Sequence, residues 1–212
     1  LDSTNMRPEN WVCIAECIRE HYDAYDGFVI SHGTDTMAYT AAALSYLVMH
    51  SPKPIILTGA QRSIVTEDTD ARTNLYDAFC YASDAASHGV SIVFDGHVIT
   101  GTRARKVRTK SRNAFESVDY PPVALVRDGR VLRYIREDRP NEPTFYREMD
   151  PRVAVVKLTP GLPWQAVRTD RGMSRYLPLI VLGGITVILA QSYLNAGLVS
   201  FFDFDRLFDS TL

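Results

Sequence analysis

Apolar positions along the first hundred residues switch regularly between helical and strand spacing. A helix is predicted from Pro8, because proline fits the first helical turn and the apolar side chains after it recur at i, i+3, i+4 and i+7. These side chains are Trp11, Ile14, Ala15, Ile18 and Tyr22. Two more helices are predicted at 37–50 and 69–86. The apolar face of the second is formed by Leu75, Ala78, Phe79 and Ala82.

Apolar runs without alternation predict strands between these helices. Strands are expected at 27–30 and 54–57, both buried on two faces, and at 90–94. Gly96 then turns the chain into a further extended segment. Strands joined by helices through short connections run parallel, with right-handed crossovers. The pattern therefore predicts an α/β fold with a mostly parallel sheet flanked by helices.

After residue 122 the pattern changes to that of a hairpin. Apolar runs at 123–126 and 131–132 flank the pair Asp128-Gly129, which suits a tight turn. The polar stretch from 136 to 150 contains two prolines and is typical of a linker.

These changes suggest two domains. We expect an N-terminal α/β domain at 1–140, a linker at 141–152 and part of a smaller α/β domain at 153–212. Strands are expected in this second domain at 153–158 and within 179–189.

The composition is that of an ordinary globular protein, with 46% hydrophobic and 23% charged residues among 212. A net charge of -2 gives no electrostatic reason to expect binding to nucleic acids or anionic membranes. Six basic residues do cluster between Arg103 and Arg112, and we interpret them as a solvated loop with one functional lysine. The longest apolar run, 177–190, is too short for a membrane helix.

The three cysteines form neither a metal-site spacing nor a disulfide framework. Cys13 and Cys17 lie four residues apart on the first predicted helix. We expect them to be buried free thiols in a reducing compartment.

The segment His32-Gly33-Thr34-Asp35-Thr36 joins a predicted strand to a predicted helix. Ligands of open parallel sheets bind at the carboxyl ends of strands, which is where this segment lies. Glycine allows close approach of a ligand, and Thr34 and Asp35 supply a hydroxyl and a carboxylate beside free helix N–H groups. The alternative is that both residues only cap the helix.

The run from Asp26 to Ala41, DGFVISHGTDTMAYTA, resembles the second signature of the asparaginase/glutaminase family. The neighbouring segments resemble family segments in the family's order. They are the substrate-binding segment 2–6, the active-site loop 57–61 and the lysine-bearing segment 101–106 with 113–117. The Asp2-Ser3 pair and the HGTDTMAYTA form are similar to the bacterial-type (type I, cytoplasmic) L-asparaginases.

This resemblance implies that Thr34, Asp35 and Lys106 are catalytic. Amide hydrolysis needs an activated nucleophile and a stabilised oxyanion, and a lysine between a hydroxyl and a carboxylate can orient or relay a proton. The resemblance also implies that Asp35 binds the substrate α-ammonium group.

The remaining substrate contacts are implied in the same way. Ser3, with the backbone of Asp2 and Thr4, is expected to hold the substrate α-carboxylate. Gly33 is expected to allow the substrate to approach closely, and the backbone around Ala60 to contact the scissile amide. No metal or organic cofactor is implied. His32 is interpreted as a structural hydrogen-bonding residue, and Lys106 without the resemblance would be an exposed lysine.

Two departures from the family pattern concern its ends. The Thr-Gly-Gly-Thr loop, to which the resemblance assigns the primary nucleophile, does not occur in the sequence, and neither does the tyrosine-bearing lid. After 159–163 the family continues for longer than this chain, although 184–205 resembles a later strand and loop. We therefore expect a fragment with impaired activity.

The leading functional hypothesis is hydrolysis of L-asparagine to L-aspartate and ammonia, with L-glutamine as a weaker substrate. A cytoplasmic homodimer or homotetramer is expected for the complete protein. One alternative is the ammonia-producing subunit of the archaeal glutamyl-tRNA amidotransferase, which liberates ammonia for a partner. The other is a non-catalytic paralogue or fragment that binds an amino acid or a second protein chain.

Overall fold

The computed structural model describes residues 3–150 together with 180–182 and 185–187. The predicted strand at 153–158 and the predicted site residue Asp2 lie outside the described residues. The chain divides into two units, Leu1–Met149 and Asp150–Leu212.

Three helices and two 3₁₀ turns are described. They are α1 (Pro8–His21), α2 (Met37–Leu47) and α3 (Ala71–Ala82), with 3₁₀ turns at Ser3–Asn5 and Tyr22–Ala24. The strands of the first unit are β1 (Phe28–Ser31), β2 (Val48–Met49), β3 (Pro54–Thr58), β4 (Gly89–Phe94), β5 (His97–Thr100), β6 (Ala104–Lys106), β7 (Phe115–Ser117), β8 (Ala124–Arg127), β9 (Arg130–Arg133) and β10 (Thr144–Phe145). In the second unit β11 (Ile180–Leu182) and β12 (Ile185–Val187) pair antiparallel, so the predicted segment 179–189 contains a hairpin.

The main sheet has six strands in the order β1-β3-β4-β5-β8-β9. The pairs β1–β3 and β3–β4 are parallel, and the other three pairs are antiparallel. The α/β class is confirmed, but the sheet is mixed where we expected it to be mostly parallel. Two of the three antiparallel pairs, β4–β5 and β8–β9, arise from tight turns at Asp95-Gly96 and Asp128-Gly129, where all four residues have φ between 48° and 72°. The third pair, β5–β8, is joined by the longer segment that contains β6 and β7.

Strand burial differs from the expectation at one edge. All five residues of β3 are buried, as predicted, whereas Phe28, Val29 and Ile30 of β1 are only half-buried. The strand predicted at 27–30 is confirmed, but its predicted burial on both faces is wrong, since β1 is an edge strand of the described sheet.

Helix α1 is confirmed where the periodicity placed it, with Ala15 and Ile18 buried. Its opposite side leaves Cys13 and Cys17 exposed, and Cys80 is half-buried. The three thiols are free, but the expected burial of Cys13 and Cys17 is wrong.

Helix α3 buries a different face from the predicted apolar one. Its buried residues are Asn74, Asp77, Ala78 and Tyr81, and Phe79 is 54% exposed. The polar side chains point inward because they bond to the ends of the strands: Asn74 Nδ2 donates to Gly59 O (2.9 Å), and Asn74 Oδ1 accepts from Asp95 N (2.9 Å). Polar groups paired in this way can be buried at little cost.

Helix α2 ends earlier than predicted, at Leu47. The next two residues, Val48 and Met49, form β2 and pair with Thr144 and Phe145 of β10. Phe145 also lies against the Tyr22 ring, with centroids 5.2 Å apart. This part of the predicted linker 141–152 is thus a strand of the first unit.

The core has two layers, one on each side of the sheet. One layer packs α1 and α2 against Ile55, Leu57 and Ile92, and the other packs α3 against Ile56 and Val93. The described part of the chain holds no helix long and apolar enough to span a bilayer.

Candidate active site

The HGTDT segment runs from the carboxyl end of β1 to the start of α2. His32 N donates to Thr58 O (2.8 Å), so the pairing of β1 with β3 continues into the loop. Thr36 Oγ1 donates to Ser3 O (2.7 Å), which fixes the loop to the 3₁₀ turn at Ser3–Asn5. These contacts hold Thr34 and Asp35 at the carboxyl edge of the sheet.

Lys106 joins both residues from the end of β6. Its Nζ donates to Thr34 Oγ1 (2.8 Å) and to Asp35 Oδ1 (2.6 Å), across 72 and 71 residues of sequence. Thr34 is 9% exposed, and the Lys106 side chain is 14% exposed, but the Asp35 side chain is 58% exposed. The structure thus brings the three predicted catalytic residues together, with the carboxylate open to a ligand.

The hydroxyl proton of Thr34 is directed away from the lysine. A lysine ammonium offers three donors and no acceptor, so Thr34 Oγ1 accepts from Lys106 and donates to Gln61 Oε1 (3.1 Å). An amide oxygen accepts a hydrogen bond but is a very weak base. In this state the hydroxyl is positioned but not activated.

Gln61 is a residue of this centre that hydrophobic patterns and residue spacing do not predict. Its Nε2 donates to Arg108 O and Ser111 O, each at 3.2 Å, which fixes the orientation of the amide. The residue stands in the 57–61 segment that resembles the family's active-site loop, and that position was the only signal for it.

Asp70 orders the loop that carries Gln61. Its buried carboxylate accepts from Gln61 N (2.9 Å) and Arg62 N (2.9 Å), and it also accepts from Asn74 Nδ2 (3.3 Å). Asp70 immediately precedes α3, but its side chain makes no capping hydrogen bond to that helix and instead binds the preceding loop.

Gly59 permits the close packing of this loop on the HGTDT segment. A Cβ atom at Gly59 would overlap the His32 carbonyl oxygen, which no side chain tolerates. The two loops therefore contact each other through backbone.

His32 has the structural hydrogen bonds expected of it. Its Nδ1 lies 2.7 Å from Gly33 O and its Nε2 lies 2.9 Å from Thr40 Oγ1. A carbonyl only accepts, so we assign the proton to Nδ1, and Nε2 then accepts from the Thr40 hydroxyl. Both ring nitrogens of His32 are therefore hydrogen-bonded. The Thr40 hydroxyl is itself fixed by Trp11, whose Nε1 donates to it (2.9 Å).

Three of the predicted substrate-binding residues, Ser3, Gly33 and Ala60, lie next to this centre. Ser3 is buried, and a Cβ atom at Gly33 would be 2.5 Å from its Oγ, so the glycine admits Ser3 directly. Thr4 is exposed, and half-buried Ala60 adjoins Gln61. Their substrate contacts remain predictions.

An open groove of about 700 Å³ begins at Asp35 and Lys106. Its lining adds Tyr39 of α2 and the arginines of the basic segment, namely Arg103, Arg105 and Arg108. Arg108 pairs with Glu116 (3.0 Å), and Arg103 lies over the Tyr120 ring at 5.7 Å. The arginines Arg103, Arg105 and Arg108 are exposed, as expected of a solvated loop. Within the described ranges, no group of three or more His, Cys, Asp or Glu side chains could hold a metal ion.

Comparison with known proteins places this arrangement in a family. The model of the family described as "Asparaginase, N-terminal" matches residues 1–139. An L-asparaginase of Thermococcus kodakarensis is 41% identical over 169 residues, covering 79% of this chain and 51% of that protein. A glutamyl-tRNA(Gln) amidotransferase subunit of Thermoplasma acidophilum is 36% identical over 76% of this chain and 41% of that protein.

Solved structures share the fold. The thermostable L-asparaginase from Thermococcus kodakarensis superposes with a TM-score of 0.77 at 40% identity, covering 86% of this chain and 55% of that one. A probable cytoplasmic L-asparaginase from Campylobacter jejuni gives a TM-score of 0.72 at 27% identity, covering 86% and 60%. The chain spans about half the length of the curated relatives it matches.

Proposed function

The chain belongs to the asparaginase family, and from that premise we propose that its Thr34–Asp35–Lys106 centre serves the hydrolysis of L-asparagine to L-aspartate and ammonia. The observation that carries the proposal is the placement of one lysine ammonium on both a buried hydroxyl and a half-open carboxylate. These are the groups needed to bind an amino acid through its ammonium and to move a proton beside it.

The different exposure of Asp35 and Thr34 suggests different roles for the two side chains. The Asp35 carboxylate is 58% exposed, so it can accept the α-ammonium of the substrate while Oδ1 stays bonded to Lys106. Thr34 is buried beside the same lysine, so its hydroxyl is the group that exchanges a proton near the scissile amide. Lys106 must lose one proton before it can take that of Thr34, because the ammonium has no acceptor site.

We also propose that the nucleophile comes from outside the described centre. Thr34 donates its hydroxyl proton to the weakly basic amide oxygen of Gln61, and the Thr-Gly-Gly-Thr sequence is absent from the 212 residues. The centre then orients the substrate and relays protons. The 212-residue chain by itself binds the amino acid without efficient turnover.

Two measurements on the purified 212-residue chain test this proposal. Calorimetric titration with L-aspartate, the product, is expected to give a millimolar or tighter Kd. Asp35→Asn should weaken this binding about tenfold or more, through loss of a charge-assisted hydrogen bond. Asp26→Asn, at an exposed carboxylate without that role, is the matched control and should bind as the parent does.

The second measurement is ammonia release from L-asparagine. No release above that of Thr34→Ala is expected. Turnover clearly above that variant would show that the chain carries its own nucleophile. Absence of L-aspartate binding would overturn the role given to Asp35.

The relationship to the amidotransferase of Thermoplasma acidophilum supports a second candidate function. A domain of that kind would release ammonia from a glutamine-type donor for a partner protein. Titration with L-glutamate separates the candidates, because a glutamine site should bind L-glutamate more tightly than L-aspartate.

For the complete protein we propose a cytoplasmic homodimer or homotetramer with a threonine nucleophile. The cytoplasmic assignment is supported by the Campylobacter jejuni relative. Sedimentation velocity would test the assembly, and a purely monomeric complete protein would contradict it.

A further inference from the structure

Two exposed thiols stand one helical turn apart on α1. Cys13 and Cys17 are both free and exposed, and the buried side of the same helix is formed by Ala15 and Ile18. The helix runs unbroken from Pro8 to His21 on both sides of the two cysteines. Near its end, His21 Nδ1 donates to the Cys17 carbonyl oxygen (2.9 Å).

Their spacing favours chelation over oxidation. Side chains at i and i+4 of an α-helix are neighbours, with Cβ atoms about 5–6 Å apart. A disulfide requires Cβ atoms about 3.5–4.5 Å apart, so the two sulfurs cannot join without unwinding the helix. An ion bonded to each sulfur at about 2.3 Å bridges that gap without such distortion.

We propose that Cys13 and Cys17 form a binding site for a thiophilic centre that is satisfied by two sulfur ligands, such as a trivalent organoarsenical. The neighbouring carboxylate Glu16 is already bonded to Arg19 (2.8 Å), and no cluster of three metal-binding side chains occurs in the described residues. Zinc, which takes four protein ligands in structural sites, is therefore a poor fit.

The binding reaction balances without an oxidant or reductant. Phenylarsine oxide reacts with two thiols to form two As–S bonds, and its oxygen leaves as water with the two thiol protons. Arsenic stays trivalent and both sulfurs keep their oxidation state. The product closes a ring across one turn of α1.

The probe is phenylarsine oxide, titrated into the full chain and followed by intact mass. One equivalent is expected to bind with loss of one water. Cys13→Ser and Cys17→Ser should each weaken binding about 100-fold or more, because the second thiolate binds as an intramolecular ligand. Cys80→Ser removes the half-buried thiol elsewhere and should leave binding unchanged.

A thermal melt with the probe supplies a second readout on the unaltered chain. Bound arsenical should raise Tm, because it binds the ordered helix better than the unfolded chain. The proposal is overturned if either single variant keeps the parent affinity, if Cys80→Ser loses it, if Tm does not rise, or if zinc ion binds as tightly as the arsenical.

Discussion

At the scale of single residues, the candidate site is held together by groups that sequence spacing does not reveal. Thr34 and Asp35 are adjacent in sequence, but the lysine bonded to both is 72 residues from Thr34 and 71 from Asp35. Without the family resemblance, Lys106 is one of six basic residues in a polar loop. The geometry makes it the shared donor of the centre.

Gln61 is expected to stabilise this arrangement. Gln61→Leu removes the acceptor for Thr34 and the donor for Arg108 O and Ser111 O. Each net hydrogen bond contributes about 0.5–1.5 kcal/mol, so loss of the three bonds should lower the free energy of unfolding by about 1.5–4.5 kcal/mol in urea titration. Gln61→Glu keeps an oxygen that can accept from Thr34 but removes the Nε2 donor. If Gln61→Glu lowers the free energy of unfolding as much as Gln61→Leu does, the bond to Thr34 contributes nothing.

Asp77 gives the molecule a pH dependence of known sign. Burial on α3, with a further contribution from the nearby Asp95 carboxylate, raises the pKa of the Asp77 carboxyl. The folded state then binds the proton more tightly than the unfolded state, so this group's effect is to lower stability as the pH rises from the unfolded pKa through the raised one.

Asp77→Asn should therefore be more stable than the parent at neutral pH. The gain should disappear at acidic pH, where the carboxyl is protonated in both states. Thermal melts of both proteins across this pH range measure it. A gain that persists in acid would mean that packing, and not ionisation, is responsible.

At the scale of elements, sequence patterns predicted the turns and most of the helices. They did not predict which face of a helix is buried where polar side chains hydrogen-bond to distant backbone. The Asp128-Gly129 turn and helix α1 depend on residues close together in sequence, so the sequence pattern predicts both correctly. The inward face of α3 was missed because Asn74 is buried by bonds to distant backbone. Hydrophobic periodicity carries no information about such partners.

The hairpin turn at Gly129 should be sensitive to backbone strain. Gly129 has φ of +70°, and an alanine Cβ would meet only the end of the Tyr76 side chain, which is exposed and can move. Gly129→Ala should cost about 1–2 kcal/mol, the penalty for a left-handed residue with a Cβ atom.

Gly89 offers a matched position, with φ of +66° and open space around its Cβ direction. Gly89→Ala should therefore cost about as much as Gly129→Ala in chemical denaturation. Gly129→Asn should recover most of the loss, because asparagine tolerates this conformation. A much larger loss for Gly129→Ala than for Gly89→Ala would place the cost in the Tyr76 contact.

At the scale of the whole molecule, the Thr34–Asp35–Lys106 centre and the two apolar layers occupy different parts of the first unit. The centre is formed by a loop at the carboxyl edge of the main sheet and by the last residue of β6, whereas the two apolar layers lie along the faces of that sheet. The α/β class followed from the alternation of helices and strands. Sheet order and mixed strand direction depend on contacts between distant segments, so they became visible only in the structure.

Strand β3 contributes side chains to both apolar layers, and this determines how its amides can exchange with solvent. Ile55 and Leu57 face one layer and Ile56 faces the other, while β1 and β4 pair with β3 on its two sides. Loosening either layer alone leaves the strand held by the other. The amides of Ile55 and Leu57 should therefore exchange with deuterium only when the entire first unit unfolds, at the global free energy. Amide exchange in β1 at the sheet edge should occur through smaller and more frequent openings.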